Sequence, residues 1–297
     1  MTPFELLQDY VSNHTLGLRP STVECHYRPC IVLFVKATGC QDISTVNRAL
    51  VNSFVDWLRV QELAPETKRS RRRGLLTLLQ YAFDEGYLTD ALYRIKKIQA
   101  PRRIPRAWSL AQVKQLLATA RELDGRPICR IPASLWWTSL ICSAWDTGLR
   151  LGDLLAMERD FIDPHGIVRL IQSKTQREHI VQLNESTLDL IRAVRRISND
   201  KLVWPIDFHR RRFFSDFRSI VRQAGLTGTF RYIRRGAVTH AELMKPGMGQ
   251  QLAAHQDGKT TRSHYVDPTL LPKSAVVMPS LYASNRTMEM ELAQESS

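Results

Sequence analysis

Cysteine is scarce in this chain and follows no pattern. Cys25, Cys30, Cys40, Cys129 and Cys142 form no Cys-x-x-Cys pair and have no histidine at zinc-finger spacing, which argues against a structural zinc module. An odd number of cysteines in a large chain fits reduced, mostly buried thiols. Cys25, His26 and Cys30 stand close together but face different ways on a helical pattern, so core packing is expected there rather than a metal. No uninterrupted apolar run approaches the roughly 20 residues that a membrane-spanning helix needs. Met1-Thr2-Pro3-Phe4-Glu5 has no basic region leading into an apolar stretch, so no signal peptide is expected. Internal repeats, long low-complexity tracts, a phosphate-cradling glycine loop and an Asp/Glu/His cluster at metal-ligand spacing are all missing. These absences lead to the expectation of a soluble, cytoplasmic protein with no membrane partner and neither a metal nor a nucleotide cofactor.

Acid is short relative to base. Forty-two Lys and Arg stand against 29 Asp and Glu, a formal net charge of +13 over 297 residues. An excess of that size points to a polyanionic partner, and nucleic acid is the usual one. A hydrophobic content of 43% with 8% aromatics excludes a disordered chain. The length suits two domains of ordinary size, each able to bury its own core.

Residues 1–100 read as helices throughout. A stripe of Val23, Tyr27, Ile31, Phe34 and Val35 follows Ser21, an expected N-cap. Val46, Leu50, Phe54, Trp57 and Leu58 form a second stripe. A third helix, from near Glu66 to Gly86, carries Leu75, Leu76, Leu79, Ala82 and Phe83. That helix opens with Lys68, Arg69, Arg71, Arg72 and Arg73, five cations within six residues. They repel one another along a helix, and a phosphate backbone would remove the penalty and release counterions. Residues 101–107 read as a linker, in which two prolines disfavour helix and Arg102, Arg103 and Arg106 make a basic strap. Ser109-Leu110-Ala111-Gln112 is a capping box that starts a second domain over 108–285. That domain is mostly helical, with helical patterns at 185–197, 208–224, 231–244 and around 248–264. One interruption alternates like two strands, 167–171 and 179–183, around the polar turn Ser173-Lys174-Thr175-Gln176-Arg177. Residues 286–297 are polar and acidic and read as a loose tail.

Three segments carry the chemistry. Asp146-Thr147-Gly148-Leu149-Arg150-Leu151-Gly152-Asp153 comes first, then Phe230-Arg231-Tyr232-Ile233-Arg234-Arg235-Gly236. The third is Leu252-Ala253-Ala254-His255, followed ten residues on by Tyr265 and then Val266-Asp267-Pro268. In that order they resemble the active-site boxes of the tyrosine recombinases, the phage-integrase family, which cuts and rejoins DNA through a covalent phosphotyrosine. The resemblance is loose over the N-terminal helices and specific over 108–268. It implies a mainly α fold with a small β-sheet: a helical core-binding domain that contacts DNA, then a mixed α+β catalytic domain.

Transesterification at a phosphodiester needs a nucleophile, fixed positive charge on the non-bridging oxygens, a proton donor for the leaving 5′ oxygen, and rigid placement of all three. By resemblance Tyr265 is the nucleophile, Arg150 and Arg234 the catalytic arginines, Lys174 the general acid and His255 the histidine of the Leu-Gly-His box. Asp153, one helical turn after Arg150, is implied as an orienting acid. Arg231 departs from the family pattern, which has His at that position of His-x-x-Arg. Arginine stays protonated and cannot act as a base, but it can still donate charge and hydrogen bonds to the phosphorane. Arg235 leaves the register open by one residue, and Arg234 is favoured because Ile233 then takes the usual apolar position. The implied partner is double-stranded DNA, bound as a homotetramer on paired sites. Three alternatives stay open: a type IB topoisomerase, a recombinase-derived DNA-binding protein that no longer cuts, and a helix-turn-helix repressor with coincidental motifs.

Overall fold

In the computed structural model, which describes residues 1–14, 17–101 and 104–271, Thr2 and Glu5 close a capping box on helix α1 (Pro3–Asn13). The chain divides into two units, Met1–Arg103 and Ile104–Ser297. Arg102, Arg103 and the 286–297 tail lie outside the described residues, as do the last positions assigned to the second domain.

In the first unit α2 (Pro20–Thr22) runs through one π turn, Val23–Tyr27, into α3 (Arg28–Thr38). Ser21 does not cap this run. Pro20, with its φ preset for helix, takes the first helical position and moves the start two residues earlier, so that Arg19 is the N-cap. Next come α4 (Arg48–Val60), capped by the Asn47 side chain, and α5 (Pro65–Asp84). Leu6, Ile31, Phe34, Phe54, Leu58, Leu75 and Leu78 make its core, so the apolar stripes of four helices meet in one interior.

The basic run at the start of α5 is woven into this unit. Arg71 Nη1 donates to the carbonyls of Cys25 and His26 in the π turn, at 2.9 and 3.1 Å. Arg72 donates to the Lys96 and Ile95 carbonyls, at 2.5 and 3.0 Å. Lys68 Nζ donates to the Arg59 carbonyl at 2.6 Å, and Arg69 pairs with Glu66 at 2.9 Å. Carbonyl dipoles and one carboxylate thus offset part of the repulsion that the sequence implies.

The second unit begins with the expected capping box of Ser109 and Gln112 on α6 (Leu110–Arg121). Ahead of it, Pro105 is buried, the Ala107 N–H donates to Asp267 and the Arg106 carbonyl accepts from Arg235, so this part of the basic strap is tied to the second unit. α7 (Ala133–Thr147) and α8 (Leu151–Leu155) precede the antiparallel pair β1 (Ile167–Gln172) and β2 (Arg177–Gln182). β2 starts two residues earlier than the alternation suggests, which shortens the turn to Ser173–Gln176 and sets Gln172 opposite Arg177. Then follow α9 (Glu185–Ile197), α10 (Arg210–Gln223), α11 (Arg231–Met244), α12 (Met248–Ala253) and α13 (Gly258–His264). The pattern around 248–264 is two helices rather than one, because Ala254 turns into the left-handed region at φ +50°.

Tryptophans dominate this second core. Trp108, Trp136 and Trp204 are buried, and each indole N–H finds an acceptor: the Thr227 carbonyl, the Pro205 carbonyl and Ser139 Oγ respectively. Phe213 packs on Trp136 and Phe217 on Trp108, and Phe230 packs on both phenylalanines. This rigid interior holds the C-terminal end of α7 beside α11 and α12. Among the described residues no helix is long and apolar enough to cross a membrane.

Candidate active site

The α7 helix stops at Gly148, whose φ of +57° suits glycine, and an added Cβ there would meet Leu252 Cγ at 2.9 Å. The stop turns the chain sharply and makes Arg150 the residue that precedes α8. Its guanidinium projects inward, with Nη1 donating to Gln172 Oε1 at 2.6 Å and lying 4.0 Å from Asp153 Oδ2. Asp153 is buried, and its Oδ1 accepts from both the backbone N–H and the hydroxyl of Ser173, at 2.9 and 2.7 Å. This carboxylate thereby fastens the β1–β2 turn to α8. Lys174, the next residue, is exposed in that turn.

Arg234 lies one turn into α11 and is only 4% exposed. It donates to the carbonyl of Gly148, to that of Ala253 at 3.2 Å, and to His255 Nε2 at 3.2 Å. Its guanidinium carbon sits 4.9 Å from the centre of the Tyr265 ring. The His255 ring lies 4.4 Å from that same ring, and His255 Nδ1 is 2.9 Å from Thr261 Oγ1. An arginine can only donate, so Nε2 is the accepting nitrogen. The network therefore assigns the imidazole proton to Nδ1, facing the Thr261 hydroxyl.

Burial alone would raise the Tyr265 phenol, but Arg234 and Arg150 outweigh it and bring its pKa below the usual value near 10. His255 moves the other way from a typical histidine. Burial first, then Arg234 and Arg150, push it down to about 4, so it is neutral at pH 7. Burial also pushes Arg234 down to about 10, which still leaves it charged.

Arg150, Asp153, Arg234, His255 and Tyr265 thus converge, with Lys174 on a turn anchored to the same group. Arg231 does not join them: it is exposed on the first residue of α11, a full turn before Arg234. Arg235 faces elsewhere, donating to the Arg106 carbonyl at 3.3 Å, and His264 is exposed at the end of α13. Two residues that the motifs did not single out lie in the middle of the cluster. Gln172 and His179 are both buried, on the inward faces of β1 and β2. Gln172 follows Val168 and Leu170 at period two, so a polar residue at an inward strand position was the signal available. Among the described residues no group of His, Cys, Asp or Glu is placed to hold a metal ion.

Residues 109–270, more than half of the chain, match the phage integrase family, and the chain belongs to that family. It is 22% identical over 161 residues to the tyrosine recombinase XerD of Caulobacter vibrioides, a match covering 54% of this chain and 50% of that one. It is also 22% identical to the tyrosine recombinase XerD of Listeria monocytogenes, over 87% of this chain and 92% of that one. The chain thus spans about half the length of several curated relatives it matches. Lambda integrase (residues 75–356), solved as a dimer bound to a core site, superposes with a TM-score of 0.74 at 15% identity, covering 94% of this chain and 100% of that one. The Tn1549 transposon integrase (residues 82–397) gives 0.67 at 13% identity, covering 98% of this chain and 99% of the other. At these identities the likeness is one of fold: mostly helical, with a small two-stranded sheet.

Proposed function

We propose that the chain is a site-specific DNA recombinase that breaks and rejoins strands through a 3′-phosphotyrosine. One observation carries the reading: the Tyr265 phenol lies against Arg234 and His255 with its pKa depressed by Arg234 and Arg150. The Tyr265 oxygen attacks the scissile phosphorus, the bond to the 5′ oxygen breaks, and Lys174 protonates that leaving oxygen. Arg150 and Arg234 hold the non-bridging oxygens, where added charge develops. Turning Arg234 onto the phosphate frees His255 Nε2 to accept the phenolic proton. Arg231, exposed outside the convergent group, would add a donor only if it turned toward the bound phosphate. Attack by a 5′ hydroxyl on the protein–DNA ester reverses these steps and rejoins the strand, so the ester conserves the bond energy and neither metal nor nucleotide is consumed.

Double-stranded DNA is the substrate, and a homotetramer on paired sites the working assembly. A lambda integrase tetramer bound to a Holliday junction supports that assembly by likeness of fold. Lys68, Arg69, Arg71, Arg72, Arg73 and the 101–106 strap are the proposed phosphate contacts of the N-terminal region, and the cytoplasm is the proposed location. A second reading, a recombinase-derived DNA-binding protein that no longer cuts, is favoured by the exposed arginine at position 231 in place of histidine.

A nicked suicide substrate separates the two. Wild-type chain should form a covalent protein–DNA adduct in excess chelator without ATP. Tyr265→Phe should bind the same DNA and form none. Adduct from Tyr265→Phe at the wild-type rate would sink the assignment of the nucleophile, and no adduct from the wild type on its own target would favour the second reading.

A further inference from the structure

Gln172 is 0% exposed and sits at the centre of the cluster. Its Oε1 accepts from Arg150 Nη1 at 2.6 Å and from the Thr175 hydroxyl at 3.0 Å. Its Nε2 faces His179 Nδ1 at 3.5 Å and the Ala253 carbonyl at 3.4 Å. The orientation of this amide is determined by its neighbours. His179 Nε2 lies 3.0 Å from the Thr147 carbonyl, which can only accept, so Nε2 carries the proton and Nδ1 presents a lone pair to the amide NH2. Burial keeps His179 neutral by lowering its pKa, so this tautomer holds at pH 7. With Nε2 directed at two acceptors, Oε1 is left aimed at two donors.

Burying a primary amide is costly unless its polar atoms are satisfied, and an apolar residue would continue the inward face of β1 more cheaply. What the amide adds is a neutral acceptor beside Arg150. A carboxylate in that place would pair with the guanidinium and compete with the phosphate. The amide oxygen fixes the direction of one N–H and leaves the charge for the substrate. Its second acceptance reaches Thr175, the residue after Lys174.

On the strand-transfer reading above, we infer that Gln172 is a positioning residue that aims Arg150 at the scissile phosphate and, through Thr175, anchors the turn carrying Lys174. One buried side chain thereby sets the spacing between the charge on the non-bridging oxygens and the proton donor at the leaving oxygen.

The test measures adduct formation by the full chain on three nicked DNA substrates. One has an ordinary phosphodiester. The second has a methylphosphonate at the scissile position, which carries less charge for Arg150 to stabilise. The third has a 5′-bridging phosphorothiolate, whose thiolate leaves without a proton. Gln172→Met should slow cleavage of the phosphodiester about a hundredfold, the scale on which a misplacement of about 1 Å acts. That deficit should shrink by about tenfold or more on the methylphosphonate, because one charge-stabilising contact is worth at least that much. Thr175→Val removes the hydroxyl of an exposed residue with little risk to folding. It should slow the phosphodiester roughly five- to tenfold, the worth of one hydrogen bond, and recover on the phosphorothiolate but not on the methylphosphonate. Equal deficits on all three substrates for both variants, or wild-type rates from both, would overturn the proposal while leaving the strand-transfer reading standing. A wild type that forms no adduct on any of the three overturns that reading, and this proposal with it.

Discussion

At the scale of single residues, the site depends on side chains whose protonation is set by what surrounds them. His255 is the clearest case. Its folded pKa of about 4 lies below the value near 6.5 expected of an unfolded chain. Above pH 6.5 neither state binds the proton and stability is unaffected. As pH falls from about 6.5 to about 4, the unfolded chain takes up a proton that the native chain refuses, so stability falls through that window and the loss is complete below it. His179, also lowered by burial, acts in the same direction. The melting temperature should therefore drop between pH 7 and 5, and His255→Gln should flatten that drop relative to wild type. The shared carboxylates titrate alike in both proteins and leave the difference intact. An equal slope in the two would show that His255 has nearly the same pKa in the native and unfolded chains, and a steeper drop in His255→Gln would show it protonated in the native site and remove the phenol's proposed proton acceptor.

At the scale of elements, the junction between α12 and α13 holds stored strain. Ala254 occupies φ +50°, ψ +46° at the position where the family box has glycine. The left-handed conformation costs an L-residue about 1–2 kcal/mol, while glycine gives back about 0.5–1 kcal/mol in chain entropy. Ala254→Gly should therefore stabilise the second unit by about 0.5–1 kcal/mol, and a transition of this size moves by roughly 1–4 °C. Differential scanning calorimetry would read it, and a lowered transition would mean that the alanine methyl contributes packing that outweighs the strain. This junction was not legible in the sequence, because Leu-Ala-Ala-His carries no turn residue and continues a helical pattern. The hairpin, the α6 capping box and the 231–244 helix were legible, since alternation, capping chemistry and apolar period are local properties. Gln172 and His179 lay between the two. Their inward register could be read from the strand, but the arginine and carbonyls that make use of them arrive from α7, α8 and α12. The same limit applies to α5, where the density of charge was visible and the carbonyls receiving Arg71 and Arg72 were not.

At the scale of the whole molecule, a net charge of +13 sets how strongly a polyanion is held and how steeply that hold depends on salt. Log affinity should fall linearly with log salt, each neutralised phosphate contributing a slope of about −0.9 on duplex DNA. The structure divides the cations of α5 into two kinds. Arg72 is partly buried and holds two carbonyls near the end of its unit, so its loss removes charge and also leaves acceptors unpaired. Arg72→Ala should lower the stability of the first unit by about 1–2 kcal/mol as well as weaken binding. Arg69 is half exposed and, among the described residues, tied by a surface pair with Glu66, a contact of little worth to folding. Arg69→Ala should leave unfolding unchanged and reduce the salt slope by about one unit if the residue meets a phosphate. The two variants are best compared by fluorescence anisotropy on one duplex over a salt series, alongside denaturant unfolding. A slope unchanged in Arg69→Ala would make that residue part of a solvated face. A slope unchanged in both would remove Arg69 and Arg72 from the phosphate contacts, leaving Lys68, Arg71, Arg73 and the arginine-rich second unit to supply them.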